Sequence, residues 1–366
     1  MKSWRVWSAI SSPLALWRAW RAFEAGKRRR PDVATFGIDA DRHVHHLASA
    51  LAAHRWRPGG YTLLRITDPK RRLIARAPVA DRVVHHAIHR ALSPHIDRRF
   101  IEHSYACIDG RGLHRALMQF QRQQQRHRYL LQLDVRRYFY SIDREILRDL
   151  LFVRLPEPDT RWLLDVVLRS GSRLYTRPDV AAWLGWDAPQ PPGIGLPIGN
   201  LTSQWWGNLY LDGLDHHVQR TLRPGGYQRY MDDITLFDHD PARLLACRDA
   251  VASWLSFHRN LSLKHPSAEP APCVEPALYL GHRVTREGFS LGRKARGRLH
   301  AHVAHAAANP DRLHDTVSAF AAASMFGARW SGAGDAAALA REARAAAGLV
   351  AEERPFELSE PDDVPF

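Results

Sequence analysis

The sequence predicts an α+β fold, and three observations carry that expectation. Residues 129–134, YLLQLD, form an apolar run of strand length that ends on a carboxylate. Residues 227–237 read as a strand, a tight acidic turn and a second strand. Between and after them run segments of helical periodicity with recognisable caps, so strands and helices are interleaved ahead of a helical C-terminal part.

The elements follow in order. Residues 1–30 carry eight Lys or Arg and one Glu, with Trp17, Trp20 and Phe23 at helical spacing. This predicts an amphipathic helix with a basic shoulder, its aromatics packing on the next domain or, as the weaker reading, stacking on bases. Residues 51–100 are a second basic block, eleven Lys or Arg against three Asp. After the strand at 129–134, a turn leads to a helix from about Asp143. Residues 156–195 read as a variable connector, rich in Pro near its end. Thr202 to Arg220 reads as a helix stopped by Pro224-Gly225-Gly226. Asp240-Pro241 supplies an N-cap and a first-turn Pro, and Asn260 closes that helix. Residues 279–291 resemble a hairpin turning at Arg286-Glu287-Gly288, and 294–350 are Ala-rich and helical. Residues 352–366 reverse the charge, with six acidic residues and one Arg.

Composition bounds the function. The 366 residues suit two or three structural units, and 45% hydrophobic content with 10% aromatics excludes a disordered chain. Lys and Arg number 52 against 38 Asp and Glu, a formal charge of +14. Only five of those cations are lysines, which leaves 47 arginines. Arginine's planar fork suits phosphate, so the excess favours a polyanionic partner, although a GC-rich coding sequence also raises the Arg share. Cys107, Cys247 and Cys273 are widely spaced and lack a CxxC, and the histidine pairs lack metal-ligand spacing, so neither a disulfide framework nor a structural metal is expected. The apolar run at 6–17 is broken by Pro13 and lacks a cleavage site, and no stretch reaches membrane-spanning length. The expectation is a cytoplasmic protein without membrane partners.

Two acidic sites carry the chemistry. Asp134 ends an otherwise apolar strand, and Asp232-Asp233 sit at the tip of the predicted hairpin. Adjacent carboxylates repel unless a cation neutralises them, and hard oxygen ligands suit Mg²⁺. A third carboxylate from another strand allows two metals about 4 Å apart to clamp an in-line phosphoryl displacement. Taken alone, an Asp-Asp turn is more often plain turn chemistry.

Read in order, the segments resemble bacterial reverse transcriptases. LQLDVRRYFYSI (131–142) resembles their first palm motif, GLPIGNLTSQ (195–204) the start of the palm helix, and YMDD (230–233) their characteristic turn. PKRRLIARAPVADRVVHHAI (69–88) resembles the fingers segment, RRFIEHSYACIDGRG (98–112) the next block, and YLGHRV (279–284) the primer grip. The resemblance implies a right-hand polymerase: a basic helical extension at 1–60, fingers at 61–128, palm at 129–285 including the connector 156–194, a helical thumb at 286–350 and an acidic tail at 351–366. It implies that Asp134, Asp232 and Asp233, with the Val135 carbonyl, hold two Mg²⁺, for which Mn²⁺ can substitute. Lys70 and Arg72 would hold the incoming triphosphate, with Ile198, Gly199 and Gln204 lining the nucleotide site. Phe139 matches the bulky residue that excludes a ribose 2′-hydroxyl, its alternative being an ordinary core Phe. Tyr279, Leu280 and Gly281 would steady the primer, and Arg76, Arg82 and Arg111 would contact nucleic acid.

Retroviral enzymes carry Gln where this chain has Ile198 and Pro where it has Gln204. The version here is similar to reverse transcriptases of diversity-generating retroelements, which are error-prone at template adenines, and some phage-defence enzymes share it. Relatives place a basic residue just after the Pro of Leu263-Lys264-His265-Pro266, whereas here only Lys264 is close. Three readings follow. The first is an RNA-directed DNA polymerase in a retroelement, using an RNA template, a primer or cDNA end, dNTPs and a small accessory protein. The second is a defence enzyme working from a structured non-coding RNA or without template, and the third an RNA-binding scaffold with an idle site.

Overall fold

The computed structural model describes residues 6–67, 70–155, 157–294 and 297. Most of the segment expected as a thumb, and all of the acidic tail, lie outside the described residues.

The basic N-terminal segment forms helices α1 (Val6–Ser11), α2 (Pro13–Glu24), α3 (Pro31–Ile38) and α4 (Ala40–Ala52). Its expected single opening helix is broken at Ser12, whose hydroxyl accepts a hydrogen bond from the Ala15 N–H while Pro13 starts the next turn. Trp20 and Phe23 are buried, Trp20 on Phe36 of α3 within the N-terminal segment and Phe23 on His86 of the later helix at residues 79–96, so these two pack, whereas Trp17 is exposed. Strands β1 (Thr62–Ile66) and β2 (Arg72–Arg76) pair as an antiparallel hairpin, followed by helix α5 (Val79–Ile96), onto which α1 and α2 pack.

Helix α6 (Leu113–Arg126) leads into β3 (Tyr129–Asp134), then short α7 (Tyr138–Ser141) and α8 (Arg144–Phe152). Asp143 caps α8, its Oδ1 accepting from the Glu145 and Ile146 amides. The connector expected over 156–195 contains two helices, α9 (Pro158–Arg169) and α10 (Pro178–Leu184). Each starts on a Pro, and their apolar residues Leu163, Leu164, Val167, Val180 and Ala181 are buried, so these helices are held by tertiary contacts that Pro-rich surroundings conceal.

Helix α11 (Leu201–His217) is buried on nearly all sides, and α12 (Pro241–Arg259) ends at Asn260 in the left-handed conformation, φ +53°. Between them lie β4 (Gly226–Tyr230) and β5 (Asp233–Asp238), joined by a two-residue turn. With β6 (Ala271–Pro272) they form a four-stranded antiparallel sheet in the order β4-β5-β3-β6. Its side chains alternate by face. Leu131, Leu133, Ile234 and Leu236 join the main core with α11, whereas Leu130 and Phe237 pack with Phe120 of α6. Fully burying each such side chain contributes roughly 1.5–3 kcal/mol, so a sheet covered on both faces is a rigid floor for anything at its edge.

The C-terminal hairpin expected at 279–291 is instead a three-stranded meander of β7 (Ala277–Tyr279), β8 (His282–Val284) and β9 (Phe289–Leu291). Leu280 (φ +47°) and Gly281 (φ +80°) make an additional tight turn inside the YLGHRV segment. No described helix is long and apolar enough to cross a membrane.

Candidate active site

Register alone brings the first two carboxylates together. In the β3–β5 pairing Asp134 lies directly opposite Asp233, although 98 residues lie between them in sequence. Asp232 occupies the turn between β4 and β5, just after Met231, which adopts a left-handed φ of +56°. A non-glycine residue there carries about 1 kcal/mol of strain, which its surroundings must offset.

The trio is electrostatically loaded. Burial, then the Asp134 charge, pushes the Asp232 carboxyl up to about 6. Burial, then the charges of Asp232 and Asp134, pushes Asp233 to about 7. Lys264 and Lys70 work against the shift at Asp233, and Arg72 and Lys264 against that at Asp232. The Lys264 ammonium donates to Asp134 Oδ2, while the Lys264 backbone N–H donates to the Asp134 carbonyl at 2.8 Å. That segment runs beside the end of β3, with Arg136 N–H to Ser262 O at 2.9 Å and Val135 bridged to Leu263. Val135 itself is buried.

The other expected site residues divide into those near the carboxylates and those tied elsewhere. Lys70 and Arg72 are exposed at the hairpin end and near enough to counter the carboxylate charge. The Phe139 ring lies over α11: a Cβ at Gly207 would stand 3.2 Å from its Cε1 and 3.2 Å from Met231 Sδ. Ile198 is joined to the hairpin, its carbonyl accepting the Ala75 N–H at 2.7 Å. Gly199 has φ +123°, and a Cβ there would meet the Ala75 oxygen at 2.9 Å, so only glycine permits this approach. Gln204 is exposed on α11, facing Cys107.

Three expected contacts are placed differently. The Tyr279 ring is buried and stacks on Phe120 at 4.3 Å, which leaves the partly exposed Leu280–Gly281 turn as the outward part of that segment. Arg82 ion-pairs with Asp32 and lies 4.9 Å over the Phe23 ring, so it holds the N-terminal helices to α5. Arg111 donates to the Ile101 and Ser104 carbonyls and ties its own loop. In both arginines one guanidinium nitrogen is engaged by protein acceptors. Arg76 remains exposed.

Sequence reading missed a buried polar group beneath the turn, comprising Asn208, Asp215, Tyr227 and Arg229. Its one linear signal is a polar stripe, Asn208, Asp212 and Asp215, on one face of the otherwise apolar α11.

Among the described residues, no three carboxylate, imidazole or thiol groups converge tightly enough to enclose an ion by themselves. The donor set nevertheless fits Mg²⁺, an ion that keeps only one or two carboxylates and fills its shell with water and substrate phosphates. Asp232 and Asp233 are raised despite the opposing charges of Lys264, Lys70 and Arg72, and the one direct ion pair of Lys264 in the trio is with Asp134.

An acidic centre at the ends of the two central strands, countered by Lys70 and Arg72, has the chemistry of a site for divalent cation and phosphate. Residues 67–282 match the model of the family described as reverse transcriptase (RNA-dependent DNA polymerase). The match covers more than half of the chain, which therefore belongs to that family. The protein is an RNA-directed DNA polymerase, a nucleotidyltransferase that takes an RNA template and nucleotide substrates. No curated protein matches the chain.

Proposed function

We propose that the chain synthesises cDNA by two-metal nucleotidyl transfer, with the four-stranded sheet as palm and the β1–β2 hairpin as part of the fingers. The observation that carries this reading is the pairing of Asp134 opposite Asp233, with Asp232 in the adjoining turn. Asp134, Asp232 and Asp233, with the Val135 carbonyl, would hold Mg²⁺ or Mn²⁺. The chemistry Mg²⁺ supplies when bound is a lowered pKa for the primer 3′-hydroxyl and charge at the α-phosphate and leaving pyrophosphate. Lys70 and Arg72 bind the triphosphate by charge-assisted hydrogen bonds. Phe139, backed by α11 at Gly207, closes the space a ribose 2′-hydroxyl needs, so dNTPs are preferred. The Leu280–Gly281 backbone turn steadies the primer end.

The setting we favour is a diversity-generating retroelement, with copying that is error-prone at template adenines. An apolar Ile198 side chain donates no hydrogen bond beside the nascent pair, and its backbone link to Ala75 keeps that residue next to the hairpin.

Primer extension on an RNA template with dNTPs and Mg²⁺ tests the reading. Wild type extends and an Asp232→Ala/Asp233→Ala variant does not; equal extension by both sinks the site assignment. Sequencing the products tests the setting, since a uniform error rate across template bases removes the retroelement reading.

A further inference from the structure

The buried group beneath the turn is arranged as a strut. Arg229 on β4 and Asp215 on α11 both have fully buried side chains. Arg229 Nε donates to Asp215 Oδ1 at 2.7 Å and Nη2 to Oδ2 at 2.6 Å, a bidentate pair. Nη2 also reaches the Asn208 carbonyl at 3.4 Å, and Nη1 the Asn208 Oδ1 at 3.1 Å. The remaining Nη1 hydrogen goes to the Met231 carbonyl at 2.8 Å. A guanidinium has five N–H donors, and these five contacts account for all of them.

Four of the five bonds anchor the group to α11 and one reaches the metal-binding turn. The anchor is itself fixed: the Tyr227 hydroxyl donates to Asp215 Oδ1 at 2.7 Å, and Asn208 Nδ2 donates to the Ala106 carbonyl. The β4 backbone is pinned on its outer edge, with Arg229 N–H to His103 O at 2.9 Å and Tyr105 N–H to Arg229 O at 3.0 Å. Because Asp215 balances the charge of Arg229, the unit supplies the carboxylates with direction and little net field. Met231 is the strained residue of the turn, so a donor on its carbonyl selects one peptide orientation, and that orientation sets where Asp232 leaves the backbone.

We propose that Arg229 is a positioning residue for nucleotidyl transfer: locked to α11 by Asp215 and Asn208, it holds the Met231 peptide so that Asp232 and Asp233 present their carboxylates to the divalent cation. The inference rests on the reading of those aspartates as metal ligands. Lysine cannot replace the arginine, because one ammonium with three donors does not span Asp215, Asn208 and the Met231 carbonyl together.

The test compares full-length wild type, R229K, the double variant R229M/D215L and D232N. Each is measured for thermal melting, Mn²⁺ binding by electron paramagnetic resonance, and kcat and KM in single-dNTP incorporation. Exchanging a buried pair for apolar residues of similar volume is often neutral for the pair itself, but this exchange also leaves the Tyr227 hydroxyl, Asn208 Oδ1 and the Met231 carbonyl without their partners, so the double variant melts cooperatively below wild type. Loss of a residue that orients ligands costs roughly 10- to 100-fold in metal affinity or turnover. Both Arg229 variants should therefore bind Mn²⁺ at least about tenfold more weakly and lose kcat, while KM for dNTP stays within about threefold. If the double variant does not melt cooperatively, R229K decides. Wild-type Mn²⁺ affinity and kcat in the folded Arg229 variants, with binding lost in D232N, overturns the positioning role and leaves the metal site standing. Equal Mn²⁺ binding by wild type and D232N removes the metal reading and the proposal with it.

Discussion

The ammonium of Lys264 rests on the carboxylate of Asp134, and the backbone N–H of the same lysine bonds to the Asp134 carbonyl. A monovalent cation thus sits on one of the three carboxylates through a contact that is partly exposed, 39% for Lys264 and 29% for Asp134. Such a pair contributes at most about 1 kcal/mol, so a divalent ion with substrate phosphates can displace it.

Lys264→Met should consequently leave the melting temperature nearly unchanged and reduce the Mg²⁺ concentration needed for half-maximal direct binding by a few fold. A titration in which the variant requires more Mg²⁺ than wild type contradicts the placement of Lys264 as a competitor for Asp134.

Under the proposed function, metal and pH are linked through Asp232 and Asp233. Their folded pKa values, about 6 and about 7, lie above the ordinary carboxylate value of about 3.9. Between about pH 4 and pH 7 the folded protein retains protons that the unfolded chain has released, so metal-free stability falls as pH rises through that window. Mg²⁺ binds the deprotonated carboxylates, and its stabilising effect should be larger at about pH 8 than at about pH 5. Calorimetric melts with and without Mg²⁺ at the two pH values provide the check, and Asp232→Asn/Asp233→Asn should flatten both dependences.

Gly207→Ala separates activity from stability. Alanine gains about 1 kcal/mol of helix propensity in α11, yet its Cβ meets Phe139 and Met231 at 3.2 Å, so both must yield by a few tenths of an ångström. The expected variant melts at or near the wild-type temperature and incorporates dNTPs several-fold more slowly, since a shift of a few tenths of an ångström is a fraction of the ~1 Å misplacement that costs about 100-fold at a reacting centre. Retained kcat argues that the ring and turn are not held against this helix.

Gly199→Ala breaks a different link. The positive φ and the 2.9 Å approach to the Ala75 oxygen make any side chain strained there, with a loss of about 1–3 kcal/mol in stability. The bond from Ala75 N–H to Ile198 lies one residue away, so dNTP affinity should fall with it, as measured by equilibrium binding.

The basic residues should separate by salt dependence. Arg76 is exposed and Arg82 is committed to Asp32 and Phe23. Arg76→Ala should lower the slope of log K against log salt for RNA binding by about one. Arg82→Ala should lower the melting temperature and leave that slope unchanged.

How much of this was legible follows the range of the interactions. The β3 strand, the YMDD hairpin, the helix start near Asp143, the Asp240 cap and the Asn260 stop were readable because alternation, capping and turn chemistry act within a few residues. Helices α9 and α10 were not, because Pro-rich flanks hide an apolar stripe that is stable only once packed. Arg82, Arg111 and Tyr279 looked available to nucleic acid, and each proved to have a protein partner.

The amino-acid order carried the family resemblance, the three aspartates proposed for the site and the basic segment around Lys70 and Arg72, since these are matters of residue type and local spacing. Folding decided which side chains meet: Asp134 with Asp233 through strand register, Lys264 with Asp134, and Arg229 with Asp215 and the Met231 carbonyl. Buried polar groups must find hydrogen-bond partners, but the need is shared by every such group, and only the approach of α11 to β4 selects which partner satisfies it.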